Sequence, residues 1–406
     1  MTEHVMPQVD PTLFPPSTQT GLSEMLPWLK RMRAENPVYR DPFGLHHVFR
    51  YADVQQALAD HTTFSSDPSH VMPAAAAELT SGMLAVMDPP AHTKVRKIAS
   101  QAFTPKRVKD LSERIGQITE ELLDEAPGEE FDFVTSFSQY LPLIVVAELL
   151  GIPKSDLPMF LAWTEKLLAI QVPNPNDTQE MDESIASAQF GPFMEMQMYM
   201  MQFCAELRAN PRDGFISDLL QAEVDGERLA DGEAVNLSIQ LLQAGHITSA
   251  SLLGNSLLTL AENPDVEAKL RADPGLIPAA VDELLRSKPP VPRLQRFTTV
   301  DSELGGVHIP AKSMVFQWLI SANHDEDVFT DADKFDLGRT GNRHLTFGHG
   351  IHYCFGAMLA KTEARVGIDA LLRRYKEIEV VADAPIEFYA GEMFTPKSVP
   401  VRVRPA

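Results

Sequence analysis

Apolar residues recur every three or four positions in Arg107–Ala126 ("RVKDLSERIGQITEELLDEA"), Ile277–Ser287 and Ala357–Tyr375, a period that predicts amphipathic helices over each stretch. Alternation suited to strands is shorter and rarer: His46–Arg50 near the start, then Phe297–Leu319 and Val399–Val403 near the end. The pattern therefore predicts a mainly α fold with minor β. Between Ala234 and Ala261 no Asp, Glu, Lys or Arg occurs, a run of about 28 residues that as helix would extend about 40 Å. Asn236, Gln240, Gln243, His246, Asn255 and other polar residues interrupt it, and lipid would penalise so many polar groups. A long helix through the protein interior is expected instead, polar where it meets a cavity. No repeat, low-complexity tract or Gly/Ser linker divides the chain, so a single unit over residues 1–406 is the expectation. The proline patches at Pro11–Pro16 and Pro289–Pro292 read as stiff turns.

Composition narrows the function. A formal charge of −21 argues against nucleic-acid or anionic-membrane surfaces, because phosphates need a positive partner face. Two cysteines, Cys204 and Cys354, are too few for a secreted disulfide framework, and "MTEHVMPQVDPTLFPP" lacks the basic-then-apolar order of a signal peptide. The expected compartment is the cytoplasm. Cys204 sits in the Met-rich "MEMQMYMMQFCAEL" without companions and reads as an inert buried thiol.

Cys354 is different. Its loop, "FGHGIHYCFG" (Phe347–Gly356), places the thiol among glycines, histidines and aromatics just before a helix. With His344, His349 and His352 close by, zinc is one reading, although the paired C-x-x-C or H-x-x-x-H clips of structural zinc are missing. A helix starting immediately after Cys354 would lower the thiol's pKa and hold sulfur as an anion. Gly348, Gly350 and Gly356 would let backbone approach a flat partner. A thiolate so held suits haem iron.

At every specified position the loop matches F-G-x-G-x-H-x-C-x-G and so resembles the haem-binding signature of cytochromes P450. The resemblance implies haem b (iron protoporphyrin IX) as cofactor, Cys354 as its metal ligand, and Phe347, Gly348 and Gly356 as haem contacts. Other landmarks agree. In "DPPAHTKVRK" (Asp88–Lys97), Asp88 is placed to cap a helix opened by Pro89 and Pro90, with His92 and Arg96 one turn apart on one face. The resemblance assigns His92, Arg96, Arg296 and His352 to the haem propionates. Glu283 and Arg286 form E-x-x-R, neighbours on a helix face, and match the family's structural ion pair. Lys334 stands where the family usually has arginine, which leaves Arg339 or His344 to complete that network.

"AGHITS" (Ala244–Ser249) resembles the family's oxygen groove, so Ala244, Gly245, His246 and Thr248 are the candidate catalytic positions. Thr248 keeps the proton-relaying hydroxyl. Ile247 replaces the usual acid, so protons are left to come through water, His246 or a polar group of the substrate.

No attached flavin or dinucleotide domain is expected, since no G-x-G-x-x-G follows a strand. Electrons are expected from a ferredoxin or flavodoxin with its reductase, docked on a basic face of Lys94, Lys97, Lys106, Arg107, Lys361 and Arg365. The resemblance supplies substrate positions: Met83, Leu84, Val86 and Met87; Met194, Met198 and Met201; Leu241 and Ala244; Val291 and Leu294; Met393 and Phe394. They are lipophilic and compliant, which suits a sizeable polyketide, macrolide or terpenoid. The expected protein is a monomeric monooxygenase that inserts one atom of O2 into such a lipophilic small molecule, without nucleic acid or membrane span. Two other classes stay open: a haem-thiolate catalyst of coupling or rearrangement, and a haem- or zinc-binding protein without turnover.

Overall fold

A computed structural model describes residues 10–71, 81–103, 105–168, 183–381, 385–389 and 393–406 of the chain. The helices are α1 (Leu22–Glu35), α2 (Tyr51–Ala59), α3 (Ala91–Ala102), α4 (Pro105–Glu125), α5 (Tyr140–Leu150), α6 (Leu157–Leu168), α7 (Glu183–Ala209), α8 (Phe215–Gln221), α9 (Asp231–Glu262), α10 (Pro264–Ala272), α11 (Ile277–Ser287), α12 (Leu319–Asn323) and α13 (Ala357–Arg374). The three amphipathic stretches are α4, α11 and α13, each within a few residues of its expected span.

The charge-free run is α9. Acids mark its start, where Glu233 reaches back to accept the Ala230 N–H at 2.8 Å, complementing the positive helix end. Most of its length is buried, and it packs against α5, α7, α11 and α13. Many of its hydroxyls turn back onto their own helix: Ser238, Ser251, Ser256 and Thr259 each donate to the carbonyl four residues earlier. Such bonds let polar residues sit in a dry interior. Among the described residues no helix is long and apolar enough to cross a membrane.

The strands are β1 (Val38–Arg40), β2 (His46–Val48), β3 (Phe64–Ser65), β4 (Glu130–Asp132), β5 (Leu294–Thr298), β6 (Ser302–Leu304), β7 (Val307–Ile309), β8 (Met314–Gln317), β9 (Tyr375–Val380) and β10 (Pro400–Pro405). One sheet runs β1-β2-β8-β5-β3, with β2 parallel to β8, so residues near the two ends of the chain share a ladder. Its register sets Arg296 opposite Val315 and buries that arginine while Gln295 faces out. Period-two alternation thus aims a cation inward. A second sheet runs β4-β10-β9. Leu319, expected to end a strand, instead opens α12.

The exposed methionines correct an expectation. Met196, Met200, Phe203, Cys204 and Leu207 form the buried stripe of α7. That phase turns Met194, Met198 and Met201 outward, at 46%, 57% and 59% exposure, so they cannot contact a buried substrate. Cys204 is buried, and burial pushes its thiol up to about 11, as an inert thiol requires.

Candidate active site

Between α9 and the Cys354 loop lies a cavity of about 400 Å³. The loop makes its floor. The Cys354 N–H donates to Phe347 O at 2.8 Å, closing the turn, and Gly348 takes φ +72°, a conformation that L side chains rarely adopt. The Cys354 surface opens onto the cavity. Gly356, also in the wall, has nothing within 4 Å of where a Cβ would stand.

Helix α13 starts at Ala357, three residues past Cys354, and not immediately after it. Burial pushes the thiol's pKa up, opposed by the Gly356 N–H and by Arg96. The protein alone therefore does not hold the sulfur as an anion. A coordinating cation would, since metal-bound thiols lose their proton outright.

Three of the four residues assigned to propionates meet at the cavity. Arg96, Arg296 and His352 line the cavity, and the His92 ring lies 4.5 Å from that of His352. Arg96 Nη2 donates to Tyr353 O at 2.8 Å, and its guanidinium lies 5.7 Å from the Phe355 ring centre. Arg296 is 5% exposed and donates to Gln295 O, with no ion pair among the described residues. Burial lowers its pKa to about 10. His92 Nε2 is buried without a hydrogen-bond partner, and burial, with His352 and Arg96, lowers its pKa to about 4. A buried guanidinium and an orphaned imidazole nitrogen call for an anion between them. With one sulfur donor, a glycine-lined floor and these donors at the rim, the residues fit haem with its propionates. Among the described residues no three of His, Cys, Asp or Glu converge as metal ligands, so the zinc reading finds no site.

Asp88 does not cap α3; Pro90 occupies the cap position without a side-chain bond. Its carboxylate instead faces His352 Nε2 at 3.6 Å and takes bonds from Ser65 Oγ and the Ser66 N–H. Burial pushes Asp88 up, but these hydrogen bonds pull it down to about 2. Ser66 Oγ lies 3.0 Å from the same His352 nitrogen. The imidazole is thereby oriented from behind.

Across the cavity, Ala244, Gly245, Thr248 and Ser249 face the floor. Thr248 Oγ1 donates to Ala244 O at 2.6 Å. Gly245 also serves packing, because a Cβ there would meet Val146 Cγ2 at 2.9 Å. His246 is a correction. It points away, with Nε2 3.0 Å from Gln139 O and Nδ1 3.2 Å from Thr164 Oγ1, and burial lowers its pKa to about 4. Ile247 turns the same way, into a minor pocket with His246 and Gln139. Helical phase explains both: residues 244, 245, 248 and 249 share one face, and 246 and 247 lie on the opposite one. Neither side chain lines the cavity.

Of the expected substrate positions, Leu84, Leu241, Ala244, Val291 and Leu294 line the cavity. Met83, Val86, Met87 and Met393 lie outside its wall. Phe394 is 1% exposed and packs with Trp28, Phe49 and Trp318; its backbone bonds to Pro290 O and Asn255 Nδ2 turn the ring into that core.

Polar wall residues that the sequence did not single out include Gln240 and Ser249. Gln240 and Ser249 lie on the same side of α9 as Ala244 and Thr248, and i, i+4 spacing, Gln240 to Ala244 and Gly245 to Ser249, was the available signal. Behind Ser249 sits Glu363, 1% exposed, whose oxygens have no partner within hydrogen-bond distance. Burial raises its pKa to about 8, with Ser249 opposing.

The basic face is largely neutralised by the protein's own acids. Lys94 pairs with Glu233 (3.3 Å), Lys97 with Asp225 (2.6 Å), Arg107 with Asp218 (2.6 Å) and Lys361 with Asp282 (2.7 Å). Arg365 is exposed, and the Lys106 side chain lies outside the described residues.

Comparison with known proteins shows the family. The family model "Cytochrome P450" matches residues 38–274 and 275–403. Over 361 residues the chain is 46% identical to the erythromycin C-12 hydroxylase of Saccharopolyspora erythraea, covering 88% of this chain and 89% of that protein. It is 40% identical to the cyclomarin C epoxidase CymV of Salinispora arenicola, covering 89% and 91%. Among solved structures, the open cytochrome P450 EryK from S. erythraea superposes with a TM-score of 0.88 at 42% identity, covering 96% of this chain and 97% of that one.

Proposed function

Because this chain belongs to the cytochrome P450 family, we propose that it is a haem-thiolate monooxygenase inserting one oxygen atom from O2 into a macrolide-like or related secondary metabolite, by hydroxylation or epoxidation. The observation that carries the reading is the placing of Cys354 on the floor of an apolar cavity, with Thr248 on the facing wall and Arg96, Arg296 and His352 at the rim. Haem b, held through sulfur, supplies O2 activation when bound.

The chain's own residues then have distinct tasks. Cys354 donates sulfur. Arg96, Arg296, His92 and His352 offer donors to the propionates, and Asp88 and Ser66 fix His352. Leu84, Leu241, Val291 and Leu294 exclude water and press the substrate toward the floor. Thr248 holds a hydroxyl at the facing wall, where it is placed to hand on a proton. Electrons come from a separate protein, for which a ferredoxin or flavodoxin is proposed. A reducing cytoplasm suits the unpaired Cys204 and a metal-ligating thiolate.

Two measurements test this. Reduced protein exposed to carbon monoxide should show the strongly red-shifted Soret band of thiolate ligation, and Cys354→His should lose it. Turnover under isotopically labelled O2 should place label in the product. Product formed without label would assign the chain to coupling or rearrangement chemistry instead.

A further inference from the structure

Of the polar side chains that α9 brings to the cavity wall, one has neither a task nor a polar neighbour so far. Arg96, Arg296 and His352 belong to the rim, and Thr346 Oγ1 donates to Leu285 O at 2.6 Å. Thr248 is bonded to Ala244 O, and Ser249 stands beside Glu363. Gln240 remains. It lines the wall on α9, next to Leu241, and its carboxamide makes no hydrogen bond to any described residue. It lies two helical turns before Thr248 on the same stripe, about 12 Å along the axis.

A carboxamide offers two N–H donors and a carbonyl acceptor, and burying them unpaired against an apolar ligand costs free energy. Its complement is a neutral group that donates and accepts: a hydroxyl, or a ketone or lactone carbonyl paired to the N–H. Resting on the monooxygenase reading above, we propose that Gln240 is a specificity-determining residue that hydrogen-bonds a neutral oxygen function of the substrate, from a helix position about 12 Å along α9 from Thr248. The substrate class is then an oxygenated apolar molecule such as a polyketide lactone, and not a hydrocarbon-like terpenoid. A site built to bond such an oxygen rejects the deoxygenated analogue because its own amide is left unpaired. The same bond orients the molecule lengthwise along α9, so one end is presented to Thr248.

The probe is a series of N-alkylimidazoles of increasing chain length, each with and without a terminal hydroxyl, titrated into the haem-loaded protein and read by the Soret shift of nitrogen ligation. Imidazole anchors one end at the metal, so chain length measures reach. The terminal hydroxyl should tighten binding roughly threefold to tenfold at one intermediate length and less on either side. Gln240→Met should erase that gain while leaving the plain alkyl compounds bound as well or better. Gln240→Asn, one methylene shorter, should move the optimum to a longer chain. A hydroxyl gain at no length, or one that survives Gln240→Met in a variant whose carbon monoxide band is intact, overturns the proposal. If no imidazole perturbs the Soret band, the haem-thiolate reading itself falls, and this inference with it.

Discussion

Arg339 Nε lies 3.0 and 3.1 Å from the two carboxylate oxygens of Glu283, completing a buried network that Arg286 enters from the same carboxylate at 2.8 and 2.9 Å. Asn342 Nδ2 and the Asp336 N–H also donate to Glu283, and Arg286 donates to the carbonyls of Asn323, Ala332 and Lys334. The network therefore ties α11 to the segment before the cysteine loop. Lys334 contributes only its backbone carbonyl; its ammonium meets Asp331 at the surface. Arg339→Met should cost about 3 kcal/mol in urea unfolding, because Glu283 stays buried with one cation fewer. Lys334→Met should change stability by less than about 0.5 kcal/mol. His344 has no bond to Glu283, its Nδ1 being without a partner. A loss from His344→Phe as large as that from Arg339→Met would refute this division.

Asp88 acts on His352 without touching the cavity wall itself. Asp88→Ala frees the imidazole on one side and leaves Ser66 Oγ to hold it, at 3.0 Å. Haem transfer to an apoprotein acceptor should accelerate by about tenfold or more, as removal of an orienting partner does at metal and cofactor sites. An unchanged transfer rate would mean that His352 needs no orienting.

Thr248 and Ile247 are adjacent in sequence and face different pockets. Thr248→Ala should lower product per electron by about tenfold or more, with the balance appearing as peroxide. Ile247→Glu should not restore an acid to the cavity. Ile247 is 8% exposed, beside His246 and Gln139, so the variant buries a carboxylate and should lose about 2–3 kcal/mol in unfolding experiments. Improved coupling in Ile247→Glu would show that position 247 reaches the cavity after all.

Glu363 predicts the sign of a pH effect. Burial raises its folded pKa from 4.5 to about 8, so the folded chain keeps a proton that the unfolded chain loses. Its contribution to stability is full below pH 4.5, declines as pH rises toward 8, and is flat above that. Glu363→Gln should remove this decline, giving a shallower fall of unfolding free energy between pH 4.5 and pH 8 and a gain of a few kcal/mol at the upper end. Parallel pH profiles for variant and parent would place the ionisation elsewhere.

Much was legible in the chain because it depends on residues close together in sequence. The Phe347–Gly356 loop carries its sulfur, its left-handed Gly348 and its backbone donors within ten consecutive positions, so chemistry and geometry are written side by side. The same holds for α4, α11 and α13, whose spacing follows from the helical period, and for Glu283 and Arg286, one turn apart. The interior course of α9 was likewise set by a charge-free run too polar for lipid.

Only the tertiary structure decided which way each side chain of a buried helix points. Period alone says that residues 244, 248 and 240 share a face and that 246 and 247 do not; it cannot say which face meets the cavity, because α9 is covered on nearly every side. Packing against α5, α7 and α13 turned His246 and Ile247 away, set Gln240 in the wall and hid Glu363 behind Ser249. Choosing Arg339 over His344 as Glu283's partner likewise waited on the fold of the 324–345 segment, and the outward turn of Met194, Met198 and Met201 on the docking of α7. Local spacing determines relative direction along one element, whereas absolute direction is fixed by the neighbours that exclude water from the other side.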